Sequence, residues 1–531
     1  MNIRETMLTV VERHAARVFL VDASTRHEIT YRHFHRLACA LASDLRQRGV
    51  RKGDRVGVML PNSCDLAILY FACIYLGAVI APINPALSKS EVQFILGSCK
   101  PVLVIGSRAN ADSIREFHGN VLTLLQDSDN HSPDEIRIDA LPQREDFVPL
   151  ETADAEDQIV IIYTSGTSAK PKGLAHKVGR MFRNALAFAG AQDINEDSRF
   201  YLTLSMAYMG GFYNLLILPF LCGASVVVDH VFDARSSLHF WEKAKHNKVN
   251  TLWMSPTVLS ILLRMDRGHT GEEFCRSSVR HVFVGFAPLP VKVKDEFESR
   301  YGVCLIENYG LSETLFVTAR SAHARGSQGY VGEVLPGIAL RIADDNGEEV
   351  APGTDGEVQI LTSDLMAGYL DSEGRLFEAD ASSWFATGDV GRLENGSSLS
   401  ITGRKKDIII RGGVNISPAA VEEVLMQVAG ISEVAVVSIP HELYGEDIVA
   451  VLKLEAGVEV DLILDSVAMH AKRNLAQHQQ PARYMAIDEL PRTPSGKVQK
   501  ARIRELVAEK LQSGSAPTFR KPVTEGAIVS H

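Results

Sequence analysis

The chain has 531 residues and a formal net charge of -10, with no long single-sign run. That length exceeds the roughly 250–300 residues over which one hydrophobic core keeps growing, so two or more domains are expected. The charge leaves no basic footprint for nucleic acid and argues against adhesion to an anionic membrane; any small anionic substrate needs a local positive site.

The first third alternates short apolar runs with helical patterns: a strand at Arg55 to Leu60, a helix at Leu66 to Leu76, strands at Ala78 to Ile83 and Pro101 to Ile105. This rhythm is that of a parallel sheet with crossover helices. A polar stretch from Ser107 to Asp157, rich in Asp, His and Glu, interrupts it and reads as a surface excursion. The apolar run Ile159-Val160-Ile161-Ile162 then leads into Tyr163-Thr164-Ser165-Gly166-Thr167-Ser168-Ala169-Lys170-Pro171-Lys172-Gly173. A loop of small hydroxyl residues, glycine and lysine at a strand end offers N–H groups, hydroxyls and positive charge to a polyphosphate. Its spacing is not that of a P-loop, because Pro171 stands where Gly belongs and Gly173 where Ser or Thr belongs.

Tyr201 to Val228 contains no Asp, Glu, Lys or Arg and meets the length criterion for a membrane span. Gly210-Gly211, Pro219 and Gly223 divide it into a helix and the strand Ser225-Val226-Val227-Val228, so it reads as a buried α/β unit. Further strands are expected at Thr251 to Met254 and Val279 to Val284, and short strands with turns from Gly332 onward suggest a small β-rich subdomain. Beyond Gly403 a compact α+β unit is expected, with strands at Ile408 to Ile410, Val434 to Val437 and Ile448 to Leu454 and helices at Ala419 to Val428 and Asp465 to Leu475; the tail after Gln512 reads as mobile.

Seven scattered cysteines (Cys39, Cys64, Cys73, Cys99, Cys222, Cys275, Cys304), without a C-x-x-C pair, fit reduced thiols rather than a disulfide framework or zinc site. A cytoplasmic protein is therefore expected. Met1 to Thr6 shows no basic segment leading into an apolar core, so no secretory signal is read there.

The loop at 163–173 resembles the TSGTTGxPKG signature of the adenylate-forming superfamily, which includes acyl-CoA synthetases, luciferases and peptide-synthetase adenylation domains. Ala169 stands where the signature has glycine. Further segments follow in that superfamily's order. Asn308-Tyr309-Gly310-Leu311-Ser312-Glu313-Thr314 is similar to YGxTE, Thr387-Gly388-Asp389 to TGD, Gly403 to Gly413 to the stretch joining the two domains, and Pro491 to Val498 to the C-terminal lysine loop.

The resemblance implies an α/β fold: a large N-terminal domain (1–404) of parallel αβ layers with the β-rich subdomain, a hinge (405–406) at Lys406, a small mobile α+β C-terminal domain (407–511) and a flexible tail (512–531). It implies ATP contacts from Thr164, Ser165, Gly166, Thr167, Ser168, Lys172, Gly285, Ala287, Pro288 and Gly310. Tyr309 would stack on adenine, Asn308 would meet the base edge, Ser312 would touch phosphate, and Asp389 and Arg404 would take the ribose hydroxyls. Mg²⁺ falls to Glu313 with Thr164, and catalysis to Lys497, Glu313 and Lys172. Tyr208, Met209, Gly210, Phe286, Gly310 and Leu311 form the acid pocket, where phenylalanine at 286 favours a medium-sized, cyclic or aryl acid. Gly412 and Gly413 would line a pantetheine channel.

The activity implied is AMP-forming ligation of a carboxylic acid, with ATP, Mg²⁺ and coenzyme A. The alternatives are transfer to an amine or a separate carrier protein, and a non-catalytic nucleotide-binding regulator.

Overall fold

The computed structural model describes residues 2–125, 134–142, 154–164, 171–320, 329–412, 414–493, 497–512 and 519–520. Among these, strands assemble into three sheets, two in the N-terminal three-quarters and one after residue 408. In the nine-stranded sheet, Arg55–Met59 lies between Val79–Pro82 and Leu103–Ser107, all parallel. Gln158–Thr164 joins parallel to Val79–Pro82 and turns back into Lys172–Lys177, Thr164 facing Lys172. The hydroxyl-rich loop thus connects two neighbouring antiparallel strands.

The thirteen-stranded sheet carries Arg199–Leu202, Ser225–Val228, Thr251–Met254, His281–Val284 and Leu305–Leu311 in parallel pairings. It continues antiparallel through Leu315–Ala319 into the β-rich part, where Phe385–Glu394 pairs with Ser398–Arg404. The helix Cys64–Leu76 shows how the layers close: every residue from Leu66 to Leu76 is buried. A helix apolar on all sides has no solvent face. Ser63 caps its start by accepting from Leu66 N–H at 3.1 Å, and Gly77, at φ +68°, ends it in the left-handed conformation that glycine adopts without strain.

The charge-free stretch is interior: Gly210–Ile217 forms a π-helix, Leu218–Leu221 a short α-helix, and Ser225–Val228 a strand, all buried. Among the described residues no helix is long and apolar enough to cross a membrane. No disulfide forms among the seven cysteines, of which Cys304 alone is exposed.

Two expectations need correction. The polar stretch 107–157 is not merely an excursion. Val121–Leu124, fully buried, and Glu135–Ile136 extend the nine-stranded sheet in parallel, because three apolar residues and the buried Thr123 suffice for a strand there despite the acidic surroundings. The tail also returns to the body at Phe519–Arg520, which pairs antiparallel with Tyr484 and Met485. The C-terminal sheet otherwise follows the expected order, its long hairpin Ile431–His441 and Gly445–Leu454 backed by Pro418–Met426 and Val460–Asn474.

Candidate active site

The strand Leu305–Leu311 pairs parallel with His281–Val284 through its first half and changes partner, so that its second half, Asn308 to Leu311, pairs antiparallel with Leu315–Ala319. A bulge at Tyr309/Gly310 re-aims this segment. Gly310 is required there: a Cβ would stand 2.1 Å from the Leu315 carbonyl oxygen. The Tyr309 hydroxyl donates to Asp389 Oδ2 at 2.7 Å. Asp389 faces Arg404 across the Phe385–Glu394/Ser398–Arg404 ladder, and the Arg404 Nε lies 2.7 Å from Asp389 Oδ1.

Burial pushes the Asp389 carboxyl up from its ordinary range, and Arg404 and then the Tyr309 hydrogen bond pull it back. Its side chain is 4% exposed, while that of Arg404 is 45% exposed. One partner is sequestered and the other open, an arrangement suited to a cis-diol.

Lys497 stands on the C-terminal unit, in a turn closed by Thr493 N–H to the Lys497 carbonyl at 2.8 Å and Lys497 N–H to Thr493 Oγ1 at 3.1 Å. Its ammonium is within electrostatic reach of Glu313, Asp389 and Arg404, so the C-terminal turn is docked on the cleft. Its surface is open to the cleft, yet protein surrounds it on most sides. Desolvation and Arg404 lower the ammonium pKa from its ordinary value; Glu313 and Asp389 oppose the shift. Lys406, in the 3-10 turn Lys405–Asp407, is exposed, and its ammonium is also lowered by desolvation.

The turn 312–316 that offers Glu313 is tied to the strand and helix following the hydroxyl-rich loop. His176 Nε2 lies 2.6 Å from the Ser312 carbonyl, Asn184 makes both hydrogen bonds to the Phe316 backbone, at 3.0 and 2.8 Å, and Met366 N–H reaches the Glu313 carbonyl at 2.8 Å. Burial pushes His176 down to about 4, so it is neutral and acts as a hydrogen-bonding strut. The Tyr369 hydroxyl donates to Glu313 Oε1 at 2.8 Å, and the exposed Lys172 ammonium lies 5.6 Å from the Tyr369 ring centre. His176, Asn184 and Tyr369 lie outside the motifs. Their signals were a lone histidine in the apolar strand Leu174-Ala175-His176, an asparagine on a buried helix face and a tyrosine beside Gly368.

Among the described residues no group of three or more His, Cys, Asp or Glu is placed to hold a metal ion. A single half-buried carboxylate, Glu313, between Lys172 and Lys497 fits a hard cation that takes its other oxygens from a polyphosphate. Thr164 ends its strand directly opposite Lys172.

At the expected acid pocket, Phe286 follows the buried Gly285, adopts φ +74° and is 37% exposed. Its ring lies against Gly210: a Cβ there would meet Phe286 Cζ at 3.0 Å and Leu204 Cδ1 at 3.2 Å. Positive φ in a bulky residue is strained by on the order of 1–3 kcal/mol. The Asn308 amide donates to the Val284 carbonyl at 3.1 Å, and its oxygen borders Gly285. The Tyr208 hydroxyl accepts from Asn84 Nδ2 at 3.2 Å. Ala287 and Pro288 are exposed beside Phe286, Met209 is half-buried, and Leu311 and Ser312 are half-buried in the Glu313 turn.

Gly412 has φ +59° and its N–H donates to the Tyr444 carbonyl at 2.9 Å. Ser165, Gly166, Thr167, Ser168 and Gly413 lie outside the described residues.

Residues 8–370 match the family described as AMP-binding enzyme, and residues 420–497 match the AMP-binding enzyme C-terminal domain. An indoleacetate–CoA ligase from Aromatoleum aromaticum is 31% identical over 490 residues, covering 91% of this chain and 94% of the relative. The ATP-bound crystal structure of MatB from Rhodopseudomonas palustris superposes with a TM-score of 0.83 at 24% identity, over 95% of this chain and 99% of that one. The amide bond synthetase McbA from Marinactinospora thermotolerans has the same TM-score, identity and coverage. At that identity the two structures show a shared fold.

Proposed function

The chain belongs to the adenylate-forming AMP-binding enzymes, and on that premise we propose that it joins a carboxylic acid to coenzyme A through an acyl-AMP. The observation that carries the reading is the convergence of Tyr309, Asp389, Arg404, Glu313 and Lys497 on one cleft, from strands distant in sequence and from both units.

Asp389 and Arg404 hold the ribose hydroxyls, and the Tyr309 ring lies along the base. Lys172 and Lys497 approach the triphosphate. Glu313, with Thr164, would hold Mg²⁺, which when bound would screen phosphate charge. A carboxylate oxygen of the acid attacks the α-phosphorus in line. The bond from that phosphorus to the bridging oxygen breaks, pyrophosphate leaves, and acyl-AMP remains. Alignment of the two reactants supplies much of the acceleration, and the lysine charges stabilise the negative charge that builds up. In the second step the thiol displaces AMP from the acyl carbon, with the small unit turned about Lys406 so that Gly412 and Gly413 replace Lys497.

Coenzyme A as acceptor is supported by the aryl-acid CoA ligase among the relatives. The Phe286 ring standing against Gly210 supports a medium-sized, cyclic or aryl acid, since the ring occupies space that a long chain would need. A non-catalytic regulator is disfavoured by Lys497 lying within electrostatic reach of both Glu313 and Asp389, an arrangement that nucleotide storage does not need. Pyrophosphate exchange over a panel of acids, then product analysis with coenzyme A, amines and carrier protein as acceptors, tests the two steps separately. Exchange with no acid in the panel counts against the first, and amide formation without thioester against the second.

A further inference from the structure

Tyr369 lies outside every motif segment, yet the fold brings it to two of the groups expected to handle the triphosphate. The strand Gly368–Leu370 pairs antiparallel with Lys172–Lys177, Tyr369 opposite Leu174, so the tyrosine emerges beside the end of the hydroxyl-rich loop. From there its hydroxyl reaches Glu313 Oε1 at 2.8 Å and its ring faces the Lys172 ammonium at 5.6 Å. Glu313 is held at its backbone by Met366 N–H, and among the described residues its Oε2 accepts no hydrogen bond.

We propose that Tyr369 is a positioning residue that fixes the rotation of the Glu313 carboxylate, so that Oε2 faces the cation accompanying ATP, while its ring holds Lys172 over the same phosphates. A carboxylate on a half-buried turn has a free terminal torsion unless one oxygen is engaged. A donor to a ligating carboxylate sets its orientation, and loss of such an outer partner costs about 10–100-fold in metal affinity. The ring face adds a cation–π contact to the lysine. The proposal rests on the adenylation reading above.

The test uses the full chain and α,β-methylene-ATP, which binds but cannot be split. Thermal stabilisation at saturating nucleotide is followed against Mg²⁺ concentration. Tyr369→Phe keeps the ring and removes the hydroxyl, and is expected to raise the Mg²⁺ midpoint by about tenfold or more. Nucleotide binding in EDTA and thioester formation from supplied acyl-AMP should stay at the wild-type level. Tyr369→Leu removes the ring as well, and is expected also to weaken nucleotide binding in EDTA.

A wild-type Mg²⁺ midpoint in Tyr369→Phe overturns the proposal. So does an equal shift in the Glu313→Gln background, which would put the hydroxyl's effect elsewhere; that comparison also holds if Tyr369→Phe lowers overall stability. If wild-type protein shows neither Mg²⁺-dependent stabilisation nor pyrophosphate exchange, the adenylation reading itself fails. The two failures are therefore distinguishable.

Discussion

The Tyr309 hydroxyl and the Asp389 carboxylate meet at 2.7 Å, joining a strand that ends the parallel sheet to a strand of the β-rich part eighty residues later. With Arg404 on the other carboxylate oxygen, both oxygens of a nearly buried Asp389 are engaged before any nucleotide arrives. Replacing Asp389 with Asn removes the charge and leaves Arg404 without its partner. A lost charge-assisted hydrogen bond of this kind costs about 1.5–3 kcal/mol, so the KM for ATP is expected to rise roughly 10–100-fold with folding intact. Steady-state kinetics beside circular dichroism measures this; an unchanged KM would remove Asp389 from the nucleotide site.

Lys497→Ala is expected to abolish acyl-AMP formation while thioester formation from supplied acyl-AMP continues. Single-turnover assays of each half-reaction decide it, and equal loss of both contradicts the assigned role.

The lowered Lys497 pKa carries a pH signature. The ammonium form is the active one, and desolvation makes it lose its proton at lower pH than an ordinary lysine near 10.5. The first half-reaction should therefore decline on the alkaline side below that pH. Lys497→Arg, being protonated throughout, should flatten the limb at a reduced rate. A limb unchanged in Lys497→Arg would assign it to another group.

His176 bears on stability. Its folded pKa of about 4 lies below the ordinary 6.5, so the unfolded chain takes up a proton first as pH falls. Stability from this group is full above pH 6.5 and is lost progressively toward pH 4, by up to on the order of 3 kcal/mol. Denaturant titrations of wild type and His176→Gln at pH 7.5 and 5 test this, because the variant should lose less stability across that interval.

Phe286→Gly should shift preference toward longer acids, by removing the ring from Gly210, without lowering stability, since glycine tolerates φ +74°. Chain-length profiles and thermal melts check both halves, and an unchanged profile places Phe286 outside the pocket.

Much of this was legible in the sequence because the motif residues lie at strand ends, where local patterns of glycine, hydroxyl and charge persist. Gly310 announces a close backbone approach, and Asp389 and Arg404 sit one hairpin apart. Tyr369, His176 and Asn184 were not legible, since each acquires its role only from a partner more than fifty residues away. Val121–Leu124 was hidden by acidic neighbours, and its burial comes from the sheet rather than from its own pattern. The strained φ of Phe286 likewise has no sequence signature. The residue stands just after the strand His281–Val284, with the Phe286 ring placed against Gly210.

The most direct test is to identify the nucleotide product when purified protein turns over ATP with an acid that supports exchange. AMP and pyrophosphate in equal amounts, with both lost in Lys497→Ala, are the expected result. Release of ADP and inorganic phosphate would contradict the account.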